Sequence, residues 1–258
     1  MALLNRYHLS NLIALIVTAI APLTVDARDR VSVGGYLFPP YVDRILDAEA
    51  TGLMPDALAE LNRVQDRFEF RFVPTTAGGR YQDFRDGRFD GLLFEMPEWG
   101  WTNRGITLDV SEPFASDAEV YVARAAPNRD ERYFDGLLTR RIAAILGYNY
   151  GFAGFRNDPE ELRRRFDIAL VDDHAATIDL VLGGDVEVGV VTMSYLRRHL
   201  SDHPGERGRL LISRRHDQVY AWRAVTRPGA VPSAAEISAM LTRGGALDAL
   251  LFRHGVAR

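Results

Sequence analysis

The chain has 258 residues, 47% of them apolar, a formal net charge of −4 and no cysteine. That apolar share is ample for a packed core, and the mild acidity excludes the basic footprint of a nucleic-acid binder. The absence of thiols excludes disulfides, thiol catalysis and zinc–thiolate sites, so burial alone must hold the fold.

The N-terminus reads as a secretory signal. A short stretch, Met1 to His8, carries Arg6, and an apolar run follows from Leu9 to Val25, interrupted by Pro22. Val25 and Ala27 flank Asp26 and place small side chains where a signal peptidase reads them. The run is short for a bilayer span, which needs ~20 apolar residues. Cleavage after Ala27 is therefore expected, with export to the periplasm and no membrane insertion afterwards. No cysteine is present for a lipid anchor.

The remaining chain suits one large domain or two of about a hundred residues. Arg30 to Gly35 is a short β-type run ending in glycines, and Tyr36 to Tyr41 is extended or turning because Pro39 and Pro40 fix φ. Leu53, Ala57, Leu58 and Leu61 recur at helical spacing. Phe68 to Pro74 alternates aromatic and charged residues, a strand with one buried face. A helical stretch near Tyr81–Asp86 leads to Phe89–Phe94, apolar enough for a buried parallel strand. A second alternation follows: a strand at Arg141–Gly147, a helix capped by Asp158 with Pro159 at its first position, and a strand at Phe166–Val171. Next come a helix from Asp173 to Leu182 stopped by Gly183-Gly184, and a β run at Glu187–Thr192. A strand at Val219–Val225 and helices from Ser233 to Phe252, broken at Gly244-Gly245, close the chain. Such alternation predicts an α/β fold with largely parallel pairing.

The order of these landmarks resembles the type II periplasmic solute-binding proteins, in the polar amino acid branch serving ABC importers (bacterial extracellular solute-binding protein family 3). The resemblance is carried by Val31-Ser32-Val33-Gly34 followed by Phe38-Pro39-Pro40-Tyr41, by Gly52–Leu61 and by Phe84–Asp90. It continues in Arg104 followed by Val110-Ser111-Glu112-Pro113-Phe114, in Leu182–Glu187 and in Gly244–Leu247. It implies a two-lobed fold with a cleft between the lobes and two hinge crossings, near Ala118–Tyr121 and Ile212–Arg215. Lobe one would comprise residues 28–118 and 216–258, and lobe two residues 119–215. It further implies a monomer that captures a small polar, carboxylate-bearing ligand, an amino acid or a related compound, for an ABC permease in the inner membrane. No cofactor, metal or catalytic residue is expected.

The resemblance also nominates ligand contacts. Arg104 matches the arginine that holds a ligand carboxylate, and a guanidinium presents the planar fork this needs. Phe38 matches a cleft aromatic, flanked by Tyr36 and Tyr41. Tyr148 and Asn149 follow Gly147, where the family has small hydroxyl residues that bind the carboxylate from lobe two. Thr192 stands where amino acid binders present an aspartate to the ligand ammonium, and a hydroxyl cannot neutralise that charge. Glu95 stands where relatives have serine and can supply the missing acid. The stretch from Asp90 to Arg104 is two residues longer than the pattern and carries Trp99, Gly100 and Trp101, tryptophans able to wall the cleft or stack on a cation.

Plainer readings stand beside these: a solvated surface arginine for Arg104, a core plug for Phe38, an exposed strand-end carboxylate for Glu95 and a loop anchor for Trp101. His199 and His203 are four apart, but Pro204 follows and no third ligand is evident. Arg163-Arg164-Arg165 reads as a solvated helix face. Two other functions use the same fold. One is a dehydratase-like enzyme in which Glu95 faces Arg104 as general acid or base. The other is a sensory module that signals to a receptor.

Overall fold

The computed structural model describes residues 28–47 and 49–256. The expected signal segment, residues 1–27, lies outside the described residues. Among the described residues no helix is long and apolar enough to cross a membrane.

The chain opens with β1 (Asp29–Gly35), a hairpin of β2 (Arg44–Leu46) and β3 (Glu49–Thr51), and helix α1 (Leu53–Val64). In α1, the side chains Leu53, Met54, Ala57, Leu58 and Leu61 form the buried stripe that its spacing predicts. Strand β4 (Phe68–Pro74), helix α2 (Arg80–Arg85) and strand β5 (Gly91–Glu95) follow. Both β4 and β5 pair in parallel with β1, and every residue of β5 is buried, as its apolar composition predicts. The two-residue β6 (Asp109–Val110) leads into β7 (Ala115–Arg124).

The second α/β alternation consists of β8 (Ile142–Ile145), α3 (Pro159–Arg165), β9 (Ile168–Val171), α4 (His174–Gly183), β10 (Val188–Thr192) and α5 (Met193–Asp202). Asp158 accepts from the Glu161 amide at 2.7 Å and Pro159 occupies the first turn of α3. Asp173 caps α4 in the same way, and Gly184, at φ 86°, ends it. The chain returns through the long strand β11 (Leu210–Thr226) to α6 (Ala234–Thr242) and α7 (Ala246–Arg253). A reciprocal Ser233–Glu236 capping box starts α6.

The main sheet runs β4-β1-β5-β11-β7-β10-β8-β9, with β6 also on β11. One lobe is built on β4, β1 and β5, the other on β10, β8 and β9. Strands β7 and β11 join them as an antiparallel pair, in register from Leu210↔Arg124 to Trp222↔Ala115 with slips around His216. A bulge in such a pair bends the strands between the lobes. The largest apolar cluster does not stop at the lobe boundary. It passes from Val31 and Leu61 through Phe38 and Tyr148 to Tyr150 and Val188. The lobes are closed on one another.

Candidate functional site: a closed cleft filled by its own side chains

The cleft is formed where strand ends and crossing strands meet. Tyr36 and Phe38 follow β1, Arg80 and Tyr81 open α2, and Glu95 ends β5. Phe94, beside it, holds φ at 54°. A bulky residue in that region costs ~1–3 kcal/mol and must be held by its surroundings. Here the rings of Tyr41, Phe114 and Trp222 pack around it. Lobe two contributes Tyr148 and Asn149 from the turn after β8. The crossing strands contribute Glu119 on β7 and Gln218 and Tyr220 on β11.

At the centre lies Arg80, 1% exposed. Its Nε is 3.3 Å from Glu95 Oε2, and its Nη2 donates to Glu95 Oε1 at 3.4 Å and to Asn149 Oδ1 at 3.1 Å. Its Nη1 donates to the Ala77 carbonyl. The guanidinium carbon sits 4.2 Å from the Tyr81 ring centroid, 5.0 Å from Tyr36, 5.7 Å from Trp99 and 5.8 Å from Trp101. This is an aromatic cage around a cation, with a carboxylate on one side and a carboxamide from the opposite lobe on another. Tyr81 also donates to the Trp99 carbonyl at 2.6 Å, and Trp101 Nε1 donates to Glu95 Oε1 at 3.1 Å.

Burial in this site acts on every ionisable group. Desolvation raises the Glu95 carboxyl above its ordinary range, while the Arg80 charge and the Trp101 donor pull it back. Burial works against the Arg80 cation too, but Glu95 and the neighbouring phenols hold its pKa above normal. Glu119 is the extreme case. It is fully buried, and desolvation together with the nearby Asp217 pushes its carboxyl well above normal. Gln218 donates to Glu119 Oε2 at 2.6 Å. Gln218 also donates to the Asn149 carbonyl at 2.6 Å and accepts from Trp99 Nε1 at 2.8 Å.

Further contacts tie the lobes together. Tyr148 donates to the Leu37 carbonyl at 2.8 Å. Asp43, before β2, forms a two-point ion pair with Arg198 of α5, at 2.9 and 2.5 Å. Asp117 on β7 accepts from Tyr41 at 2.9 Å and from Ser194 of α5 at 2.5 Å, and Trp222 Nε1 donates to the Tyr41 hydroxyl at 2.6 Å. Gly147 meets the loop that precedes α2, where a Cβ would lie 3.2 Å from the Gly78 amide nitrogen, tighter than side chains usually pack.

The cavity left between Arg80 and Glu119 measures about 10 Å³. That is room for about one water molecule, against ~300–1,000 Å³ for sites that enclose a small ligand. Tyr36, Phe38, Tyr148 and Asn149, nominated from sequence, all line it. Glu95 and Trp101 sit behind Arg80 as a hydrogen-bonded pair. Glu95 does not face Arg104, as the enzyme reading supposed, and it is not an exposed strand-end carboxylate. Its partner is Arg80, and it is 1% exposed. Thr192, also buried, ends β10 and stands as the N-cap of α5, and the Tyr220 hydroxyl adjoins both it and Glu119.

Arg104 is placed apart from the others. Its side chain donates to the Gly100 carbonyl at 3.0 Å and across to Asn157 of lobe two at 2.8 Å, and it stacks 4.0 Å from the Tyr81 centroid. Gly100, at φ 76°, leaves it that space, since a Cβ there would meet the guanidinium. Arg104 lines a separate, outer interlobe cavity of about 550 Å³, together with Thr76–Gly78, Gly147 and Asn157. His199 and His203 stack at 4.5 Å, and His199 bonds Glu206 instead of a metal set. Among the described residues no group of three or more His, Asp or Glu is arranged to hold a metal.

The sequence reading did not nominate Arg80, Glu119, Gln218 or Tyr220. A signal existed for Glu119, an acid inside the otherwise apolar run Ala118–Ala123. Arg80 had none beyond its position after Gly78-Gly79.

No protein-family model matches this chain, and no curated protein does. Solved structures resemble it across most of its length. One is a histidine kinase sensor domain with similarity to periplasmic binding proteins (TM-score 0.66, 18% identity, 90% of this chain and 99% of that one). Another is an ancestral arginine-binding protein bound to arginine (TM-score 0.63, 14% identity, 88% and 98%). A third is the substrate-binding protein of an amino acid ABC transporter (TM-score 0.63, 16% identity, 87% and 98%). The mixed sheet, the paired crossing strands and these likenesses together give the chain the two-lobed fold of the type II periplasmic binding proteins.

Proposed function

We propose that the chain is an exported, monomeric solute-binding protein that captures a small polar, carboxylate-bearing ligand between its lobes for an ABC-type importer. Residues 1–27 are its cleaved signal, and residues 28–118 with 216–258 and residues 119–215 are its two lobes. The observation that carries the reading is convergence: charged and amide groups from both lobes and both crossing strands meet inside one aromatic-walled cleft. Room for about one water means that the lobes must part about β7 and β11 before a solute enters. In the opened cleft Arg104 receives the carboxylate. Glu119 supplies the acid group that Thr192 lacks, and Tyr36, Phe38 and Tyr148 pack on the ligand body.

The test is a thermal-shift screen of amino acids, polyamines and small carboxylates, followed by calorimetry on the best hit. A charge-assisted contact contributes ~1.5–3 kcal/mol, so Arg104→Ala should weaken that hit by about 10- to 150-fold. Unchanged affinity refutes the Arg104 assignment, and the absence of any saturable ligand refutes the solute-binding reading. Closure held by the chain's own side chains favours a second reading, a sensory module whose lobe state is read by a receptor. Capture of a permease or of a receptor by crosslinking in intact cells separates the two. Product formation from prephenate-like acids would overturn both in favour of an enzyme.

A further inference from the structure

The cage around Arg80 has the features of a cation-binding site, and its occupant is the chain's own guanidinium. Four aromatic rings lie within 5.8 Å of the guanidinium carbon, and Glu95 and Asn149 take its N–H groups. The Asn149 contact crosses to the other lobe. Asn149 Oδ1 also lies 3.1 Å from the Tyr81 hydroxyl, and its carbonyl accepts from Gln218, so lobe two is gripped where the guanidinium meets it. The small cavity beside Arg80 carries a second mark of a ligand site. Glu119 Oε1 is buried there beside the Tyr220 hydroxyl and Asp217, with no hydrogen bond of good geometry.

We propose that Arg80 is an internal ligand of the cleft, its guanidinium occupying the solute's cationic subsite and holding the lobes closed until a solute displaces it. The inference rests on reading the cleft as a solute site. The geometry supplies an exit as well as a seat. Arg80 is the first residue of α2, directly after the Thr76–Gly79 loop, and that loop lines the outer 550 Å³ cavity. The stem leaves the cage only when a solute's cation takes its place, and it then turns toward that loop. A solute then gains the cage only by outcompeting a tethered group, which selects for ligands bearing a cation as well as a carboxylate.

The experiment replaces the plug and offers it back in solution. Arg80→Met keeps the bulk of the stem and removes the charge, and Arg80→Ala vacates the cage. Small-angle scattering and thermal melts are recorded for both variants and the parent, with methylguanidinium from zero to tens of millimolar and urea as the control. The expected result is a larger radius of gyration for both variants, reversed by methylguanidinium with saturation in Arg80→Ala, and no such response in the parent. Any solute identified by the screen should bind Arg80→Met at least tenfold tighter than the parent. Variants as closed as the parent and indifferent to methylguanidinium overturn the inference. So does a loss of solute affinity in Arg80→Met, which would make Arg80 a direct ligand contact. Rescue is read without solute, so it can succeed where the screen finds nothing, and the inference is then separated from the importer reading. If Arg80→Ala does not fold, scattering and affinity of Arg80→Met decide.

Discussion

Glu95→Gln is the sharpest probe of how the cleft is held together. The substitution keeps the shape of the side chain and removes the carboxylate that pairs with Arg80 among the described residues, leaving a guanidinium 1% exposed without that countercharge. Breaking a buried ion pair by removing one partner costs ~3–5 kcal/mol, because the surviving charge stays desolvated. For a chain of this size 1 kcal/mol corresponds to ~2–4 °C in Tm, so melting should fall by roughly 6–20 °C. The double substitution Arg80→Met, Glu95→Leu removes both charges and fills the space with apolar atoms. It should recover most of the loss, since such replacements are often neutral or stabilising. Urea unfolding followed by tryptophan emission measures Glu95→Gln and, beside it, the four corners of the cycle made by the parent, Arg80→Met, Glu95→Leu and the double variant. All three tryptophans, Trp99, Trp101 and Trp222, are buried around this cleft, so their emission reports the relevant region. A Glu95→Gln variant within ~1 kcal/mol of the parent, or single costs that add without coupling, would refute the picture of a mutually dependent buried pair.

Two further outcomes follow from the same site. Burial raises the folded-state pKa of Glu119 well above its ordinary 4.5, so the folded protein holds a proton that the unfolded chain releases. Its stability contribution is therefore greatest below pH 4.5 and is lost as pH rises from there through the folded pKa. Denaturation curves across pH should show Glu119→Gln falling less steeply above pH 4.5 than the parent. Matching slopes would discount Glu119 as a contributor. Tyr148→Phe deletes the hydroxyl that bridges to Leu37 across the lobes. It should cost ~0.5–1.5 kcal/mol of closure and appear as a modest rise in the radius of gyration, and an unchanged scattering curve would count against that bridge.

Much of the architecture was readable along the chain because it is local. The stripe on α1, the Asp158-Pro159 start of α3, the glycine stop of α4 and the break before α7 each depend on residues a few positions apart. The apolar run of β5 announced burial on both faces. Several elements escaped. The β2–β3 hairpin has no tight-turn dipeptide, α5 follows β10 with no intervening loop, and β7 was read only as a crossing point although it extends over ten residues. Its partner β11 lies about a hundred positions later, and such pairing leaves no local trace.

The cleft divides along the same line. Sequence alone supplied the two-lobed fold class and, through motif order, brought Tyr36, Phe38, Tyr148 and Asn149 to attention, because aromatic and turn residues sit at recognisable places after strands. It chose Arg104 as the central cation by its spacing to Ser111–Phe114. Tertiary structure put Arg80 in the cage and left Arg104 at the outer interlobe cavity. Guanidinium chemistry is the same at both positions. What separates them is burial and partners: Glu95 and the rings from Tyr36 to Trp101 gather around Arg80 as its own lobe folds, and Asn149 joins them only where the other lobe closes on it.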